Sequence, residues 1–215
     1  MKSLIKASGL LLIASISSIS LADDVEILAN TCVACHGSAG NSSGPAIPNL
    51  AGVSPNYFMA AMLAYKYDDE DELEEVIDGD EAYEDVEAFP RFSTIMGRIA
   101  KGYSEDQIKA MAEYFSNQTP QRPTQAFDAD LAAAGKKLHD QHCDKCHEDE
   151  GRSAEDDTGV LAGQWQPYFI YTMNDFNDGH RGMPKKMKKE LDEIAEQAGD
   201  DGIKQLAHYY ASITD

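Results

Sequence analysis

Basic residues are scarce in this sequence. The 215-residue chain has 18 lysine and arginine residues against 38 aspartate and glutamate residues, so its net charge is −20 and its isoelectric point lies near 4.5. Nucleic-acid binding requires a cluster of positive charge that neutralises phosphates, and this composition disfavours it. Hydrophobic residues make up 42% of the chain and charged residues 26%, which excludes a polytopic membrane protein and a fully disordered chain.

Long apolar runs are absent beyond the N-terminus. Lys2 and Lys6 precede an apolar stretch over residues 10–21, and small side chains occupy the −3 and −1 positions of a cleavage site after Ala22. The stretch is short and serine-rich for a membrane span of about 20 residues. We therefore predict a signal peptide over residues 1–22 and a periplasmic mature chain without a membrane span; an uncleaved anchor is the alternative.

Only four cysteines occur, and their spacing identifies a cofactor. They lie in two C-x-x-C-H motifs, Cys32-Val33-Ala34-Cys35-His36 and Cys143-Asp144-Lys145-Cys146-His147. This is the attachment signature of c-type haem, because two thiols add to the vinyl groups of one porphyrin and the adjacent histidine reaches the iron. Disulfides or a zinc site are the alternatives, but 107 residues separate the two pairs, where a zinc ribbon or finger has about 12 to 20. We predict two covalently bound haem c groups.

The surroundings of the two motifs repeat with a constant offset of 111 residues. The repeated residues are Leu50-Ala51-Gly52 and Leu161-Ala162-Gly163, Tyr57-Phe58 and Tyr168-Phe169, and Met62 and Met173. Such a repeat indicates an internal duplication. Residues 117–125 are polar and contain two prolines, which stop helices. We predict a first domain over residues 23–116, a linker over 117–125 and a second domain over 126–215.

The hydrophobic pattern is helical throughout. Ser104 and Gln107 form a capping box before an apolar stripe at helical spacing, and a similar stripe follows Gly202 near the C-terminus. Further helices are expected around Ala29 and over residues 57–64, 131–138 and 167–174. No stretch alternates convincingly as a strand. The sequence therefore predicts an all-α protein.

A haem iron held by histidine needs a sixth ligand, and low-spin electron carriers generally use methionine. Met96 lies between two predicted helices of the first half and is our candidate there. The second half offers Met183 and Met187. We favour Met187, because Arg91 precedes Met96 by five residues and Arg181 precedes Met187 by six. Met183 is the alternative. The histidines without preceding cysteines are expected on the surface or in packing: His139, His142, His180 and His208.

Two features depart from the internal repeat. Gly44-Pro45 follows the first motif where cytochromes c commonly use a proline carbonyl to orient the axial histidine, but the equivalent of Pro45 in the second half is Asp156. That support is therefore not evident around His147. Residues 68–87 contain 13 acidic residues and no basic one. We interpret them as a solvated or disordered acidic loop, or alternatively as a docking surface for a basic partner.

These residues resemble the two-domain dihaem cytochromes c of the cytochrome c4 superfamily. They are still more similar to the dihaem cytochrome subunits of flavocytochrome c sulfide dehydrogenases. The stretches that carry this second resemblance are residues 93–104, 135–140, 161–165 and 183–187. The resemblance implies two class I cytochrome c domains related by a pseudo-twofold axis, with His36 and Met96 on one iron and His147 and Met187 on the other.

The resemblance also implies a function without catalysis on this chain. In that family the cytochrome receives electrons from an FAD-containing subunit that oxidises sulfide, and passes them to a soluble carrier. This sequence has no flavin-binding G-x-G-x-x-G fingerprint, so we expect outer-sphere electron transfer and no catalytic residue. A free-standing carrier that feeds a terminal oxidase is the alternative. A dihaem peroxidase or thiosulfate-oxidising cytochrome would need an open or unusual sixth position, which the methionines argue against.

Overall fold

The computed structural model describes the backbone of residues 21–214 and the side chains of residues 25–214. Most of the predicted signal segment, residues 1–20, lies outside the described residues. Between residues 21 and 214, no helix combines the length and the apolar character that a membrane span requires. The α-helices there are α1 (Leu21–Asn30), α2 (Val33–His36), α3 (Pro55–Lys66), α4 (Glu70–Asp78), α5 (Met96–Ala100), α6 (Glu105–Ser116), α7 (Ala129–His142), α8 (Glu148–Gly151), α9 (Gln166–Asn177), α10 (Lys185–Ala198) and α11 (Asp201–Ser212).

The predicted helix starts are confirmed where the local chemistry is strongest. The Ser104 hydroxyl accepts a hydrogen bond from the Gln107 N–H, and the Gln107 side chain accepts one from the Ser104 N–H. This reciprocal capping box opens α6 at Glu105. Over the described chain, β-structure is limited to a single isolated bridge between Arg91 and Arg181. The all-α prediction is therefore confirmed.

The helices form two separate hydrophobic cores. In the first, α6 packs against α1 and α3, and α3 also packs against α5. In the second, α11 packs against α7 and α9. Each core lies within one half of the chain, on either side of the predicted linker. The limits 23–116, 117–125 and 126–215 stay a prediction.

The duplication extends to individual hydrogen bonds. The Gly52 N–H donates to the Phe115 carbonyl at 2.9 Å, and the Gly163 N–H donates to the Tyr210 carbonyl at 2.9 Å. Both glycines have a φ of +71°, a backbone angle that residues other than glycine rarely adopt. In each half this turn fastens the Leu-Ala-Gly segment to the closing helix. The two halves thus share one tertiary plan.

The acidic segment is folded, contrary to the prediction of a solvated or disordered loop. Residues 70–78 form α4, and a 3₁₀ turn covers Glu81–Tyr83. Leu73, Tyr83 and Val86 are buried in the first core. The apolar residues occur one turn or more apart, so the segment buries one face and leaves its carboxylates on the other.

The halves meet where loops of each half reach the first turns of α3 and α9 in the other. Residues 164–168 of the second half contact residues 42–49 of the first, and Tyr57 of the first half contacts Gly159 of the second. These loops follow the two C-x-x-C-H motifs. The interface is therefore next to both candidate haem sites.

Candidate functional site

The first C-x-x-C-H motif forms a single helical turn. Cys32 immediately precedes α2, the His36 N–H donates to the Cys32 carbonyl at 2.8 Å, and the Cys35 N–H donates to the same carbonyl at 3.1 Å. Residues three apart lie on one face of a helical turn. The turn therefore places the two thiols together on one side and His36 next to them.

The second motif repeats this geometry at the end of α7. The His147 N–H donates to the Cys143 carbonyl at 2.9 Å, and the Cys146 N–H donates to it at 3.1 Å. No disulfide joins any of the four cysteines, whose side chains all lie within the described residues. Among the described side chains, the one cluster of potential metal ligands consists of His142, Glu190 and Glu193 and contains no cysteine. The structure thus supports neither alternative, disulfides or a zinc site.

Backbone carbonyls orient both motif histidines. His36 Nδ1 lies 3.0 Å from the Pro48 carbonyl oxygen, and His147 Nδ1 lies 3.0 Å from the Gly159 carbonyl oxygen. Pro48 and Gly159 are 111 residues apart, as the repeat requires. The prediction based on Pro45 and Asp156 is therefore wrong, because a carbonyl from a different position supports each histidine. Since the partner is a backbone atom, glycine serves as well as proline.

The same contacts make the histidines suitable iron ligands. Burial lowers the pKa of His147 to about 4 and also lowers the pKa of His36, although hydrogen bonds to the carbonyls act in the opposite direction. Both imidazoles are therefore neutral at physiological pH, with Nδ1 engaged by the carbonyl. Within residues 25–214, no protein group bonds to either Nε2. A neutral imidazole with an engaged Nδ1 and a free Nε2 is the form that binds metal.

The candidate methionines lie at or next to the starts of helices. Met96 is the first residue of α5, half-buried against the first core. Met183 precedes α10 and Met187 lies in its first turn, and both pack half-buried against the second core. Both therefore lie in the second domain, and their positions do not distinguish which of them binds the second iron. In contrast, Met111 is fully buried in the first core, as expected for a packing residue.

The remaining histidines have protein partners. His139 is fully buried, and its Nδ1 lies 3.0 Å from the Tyr210 hydroxyl. His142 faces carboxylates of α10, and His208 Nδ1 accepts a hydrogen bond from the Asp128 N–H at 2.9 Å. These histidines are therefore engaged in packing and in polar contacts with other parts of the protein.

Two arginines meet at the domain boundary, and sequence analysis did not identify this cluster. The Nη2 atoms of Arg91 and Arg181 lie 3.4 and 3.2 Å from the Tyr57 hydroxyl oxygen. Burial opposes ionisation of Tyr57, but the two guanidinium groups outweigh it and lower the pKa of Tyr57 to about 7. The signal in the sequence is the similar position of the two arginines, five residues before Met96 and six before Met187.

Comparison with known proteins identifies the two halves. The family model for cytochrome c matches residues 25–119, and the model for subunit III of cbb3-type cytochrome c oxidase matches residues 130–209. Cytochrome c-554(548) of Halomonas halodenitrificans is 32% identical over 88 residues, which are 41% of this chain and 84% of that protein. The chain belongs to the cytochrome c family. It contains two tandem cytochrome c domains.

Other relatives include a cytochrome subunit of a dehydrogenase and a cytochrome c4. The cytochrome subunit of sulfide dehydrogenase from Chlorobaculum tepidum is 38% identical over 92 residues, which cover 43% of this cytochrome and 64% of the relative. The match therefore spans less than two thirds of that relative's length. The crystal structure of reduced cytochrome c4 from Pseudomonas stutzeri has 25% sequence identity and a TM-score of 0.66, covering 88% of this chain and 98% of that one.

These likenesses confirm the predicted resemblance and its cofactors. The cytochrome is a dihaem electron carrier with two covalently bound haem c groups, and its relatives include a cytochrome subunit of sulfide dehydrogenase and cytochromes c4. The thiols, the neutral imidazoles and the half-buried methionines of each domain all fit these groups.

Proposed function

We propose that this cytochrome works in the periplasm as the electron acceptor of an FAD-containing sulfide dehydrogenase subunit, and that it passes the electrons to a soluble carrier. The observation that carries the proposal is its 38% identity with the cytochrome subunit of sulfide dehydrogenase. The signal peptide over residues 1–22, cleaved after Ala22, accounts for export. Oxidation of sulfide then takes place on the partner chain.

The proposed iron ligands are His36 and Met96 in the first domain, and His147 and Met187 in the second, with Met183 as the alternative to Met187. Thioether bonds from Cys32, Cys35, Cys143 and Cys146 fix the two haems. Each bound haem supplies one-electron oxidation and reduction. The Pro48 and Gly159 carbonyls hold the imidazoles by Nδ1, and the methionine side chains, as iron ligands, would keep oxygen and sulfide from binding the metal. Electrons therefore pass without substrate binding to the metal.

A free-standing carrier that donates to a terminal oxidase is the second candidate. The observation that favours it is the match over nearly the whole length of cytochrome c4 from Pseudomonas stutzeri. Both candidates use the same haem ligands. They differ only in whether a flavoprotein is bound.

Native purification distinguishes the two. The protein is isolated from the periplasm of its source under mild conditions, and the ratio of flavin to haem is read from the absorption spectrum. One FAD-bearing chain per two haems supports the sulfide dehydrogenase subunit. A pure dihaem protein that sulfide and a flavoprotein fraction fail to reduce overturns it in favour of the free carrier. Recovery in the cytoplasmic fraction contradicts the proposed location.

A further inference from the structure

A single peptide group links His36 to the other domain. The Pro48 carbonyl, which lies 3.0 Å from His36 Nδ1, and the Asn49 N–H belong to the same peptide bond. That N–H donates to Gln164 Oε1 at 3.1 Å, and Gln164 Nε2 donates to the Asn49 carbonyl at 3.1 Å. Gln164 is thus a bidentate partner of the residue next to the histidine support.

Gln164 belongs to the second domain and is held firmly there. It is buried, with 8% of its surface exposed, and follows Gly163 in the turn that is fastened to α11. Its own carbonyl accepts a hydrogen bond from Gln125 Nε2 at 2.9 Å. The side chain therefore reaches the first domain from a fixed backbone.

Neighbouring residues clamp the same loop. Trp165 Nε1 donates to the Ser42 carbonyl at 3.1 Å, and the Tyr168 N–H donates to the Pro45 carbonyl at 3.2 Å. The Trp165 ring lies against Gly44 so closely that a Cβ there would come within 2.3 Å of it. The second domain therefore contributes to positioning the loop that orients His36.

Among the described residues, no equivalent hydrogen-bonded link supports the second haem site. The residue 111 positions before Gln164 is Val53, whose apolar side chain cannot accept a hydrogen bond. Instead, the Tyr57 ring packs beside Gly159, 3.2–3.3 Å from where a Cβ would lie. The support of His147 across the boundary is a van der Waals contact, whereas that of His36 is a chain of hydrogen bonds.

We propose that Gln164 is a positioning residue for the first haem: it acts across the domain boundary by polarising the Pro48–Asn49 peptide that orients His36. The inference rests on the proposed role of His36 as an axial ligand. Hydrogen bonds in a chain strengthen one another. An acceptor for the Asn49 N–H makes the Pro48 carbonyl a better acceptor for His36, and a more electron-rich imidazole stabilises ferric iron. Gln164 therefore lowers the reduction potential of the haem in the other domain.

The test compares three variants of the full-length holoprotein. Gln164→Leu removes both hydrogen bonds to Asn49. Gln164→Glu keeps an oxygen acceptor for the Asn49 N–H. Gln166→Leu is the matched control, because its side chain donates to the Ala126 carbonyl at 2.7 Å and Gln166 lies two residues away in the same segment. Both haem potentials are measured by spectroelectrochemical titration, and hydrogen exchange is followed in peptides that cover Asn49.

We expect Gln164→Leu to raise one haem potential and leave the other unchanged. Exchange of the Asn49 amide should become about fivefold faster, the factor that corresponds to one hydrogen bond of about 1 kcal/mol. Gln164→Glu should keep the potential at or below the original value, and Gln166→Leu should change neither the potentials nor this exchange. In protein labelled with ¹⁵N-histidine, the Nδ1–H resonance of His36 should shift while that of His147 stays.

The proposal is overturned if Gln164→Leu retains two haems with unchanged potentials, if both potentials move equally, or if Gln166→Leu has the same effect. Different results would contradict the proposed function. Absence of flavin in the native complex removes the partner but leaves the effect of Gln164 intact. An unmodified protein whose spectrum lacks histidine–methionine haem contradicts the ligand assignment before any variant is compared.

Discussion

Arg91 and Arg181 face each other across the domain boundary in an antiparallel bridge. The Phe92 N–H donates to the His180 carbonyl and the Gly182 N–H donates to the Pro90 carbonyl, both at 2.8 Å. Within the described residues, neither guanidinium has a carboxylate within 4.0 Å. Two like charges at one boundary repel each other. The Tyr57 hydroxyl oxygen, which both guanidinium groups approach, offsets this repulsion and so has a structural role.

We predict that Tyr57→Phe destabilises the holoprotein by about 1–3 kcal/mol, because both guanidinium groups lose a buried oxygen partner. Urea unfolding at neutral pH measures the change. Tyr171→Phe is the matched control, since Tyr171 is 56% exposed and should lose little. Equal stability of the Tyr57 variant and the original protein would contradict this role.

Gly44→Ala tests the packing of the two domains. Gly44 has a φ of +64° and lies against the Trp165 ring. Gly179, with a φ of +74° and no atom within 4 Å of a built Cβ, is the control that has only the backbone strain. We expect Gly44→Ala to cost about 1–3 kcal/mol more than Gly179→Ala, because the added methyl group also displaces the indole. Similar losses for the two variants, measured by thermal unfolding, would show that the ring moves aside freely.

Single leucine substitutions determine which methionine binds the iron of the second haem. Leucine conserves the volume of methionine but has no sulfur to bind iron. We expect Met187→Leu to abolish the methionine–iron absorption of one haem and to lower its potential, whereas Met183→Leu keeps both haems as they were. Met96→Leu should affect the other haem. The reverse result for positions 183 and 187 would assign Met183 instead.

Leu73→Ala tests whether the acidic helix α4 is part of the first domain. Leu73 is 2% exposed in the first core. Truncation of a buried leucine costs about 2–5 kcal/mol, so the first domain should unfold at a lower urea concentration. Ile77→Ala, at a half-buried position of the same helix, should cost less. An unaffected midpoint for Leu73→Ala would mean that α4 does not pack as the structure shows.

His142 makes stability depend on pH near neutrality. Burial lowers its pKa, but hydrogen bonds to Gln197 and Glu190 and the nearby carboxylates outweigh burial and raise the pKa above the ordinary value of 6.5. A raised pKa stabilises the folded protein fully below the ordinary value, and this contribution is lost as the pH rises through the folded pKa.

The stability difference between the original protein and His142→Asn should therefore shrink as the pH rises from below the ordinary histidine value through the raised pKa of His142. Urea midpoints at several pH values measure it. The variant should show a flatter profile over the same interval. A difference that grows with pH would mean that burial, rather than the carboxylates, controls this histidine.

The sequence by itself determined the cofactor, the duplication and the helices, because these depend on local patterns. Two thiols and a histidine on one helical turn specify haem attachment whatever lies elsewhere. The capping box at Ser104 and the stripe that follows it specify α6 in the same way. The constant offset of 111 residues correctly related Leu50 to Leu161 and Met62 to Met173.

Only the tertiary structure decided what surrounds each histidine. The supports of His36 and His147 are backbone carbonyls, which leave no side-chain signature, so the expectation based on Pro45 was wrong. The bonds between Gln164 and Asn49 span 115 residues, and no periodicity of the chain relates such distant positions. Arg91, Arg181 and Tyr57 likewise meet only when the two domains pack, because contacts between domains depend on how two folded surfaces fit together.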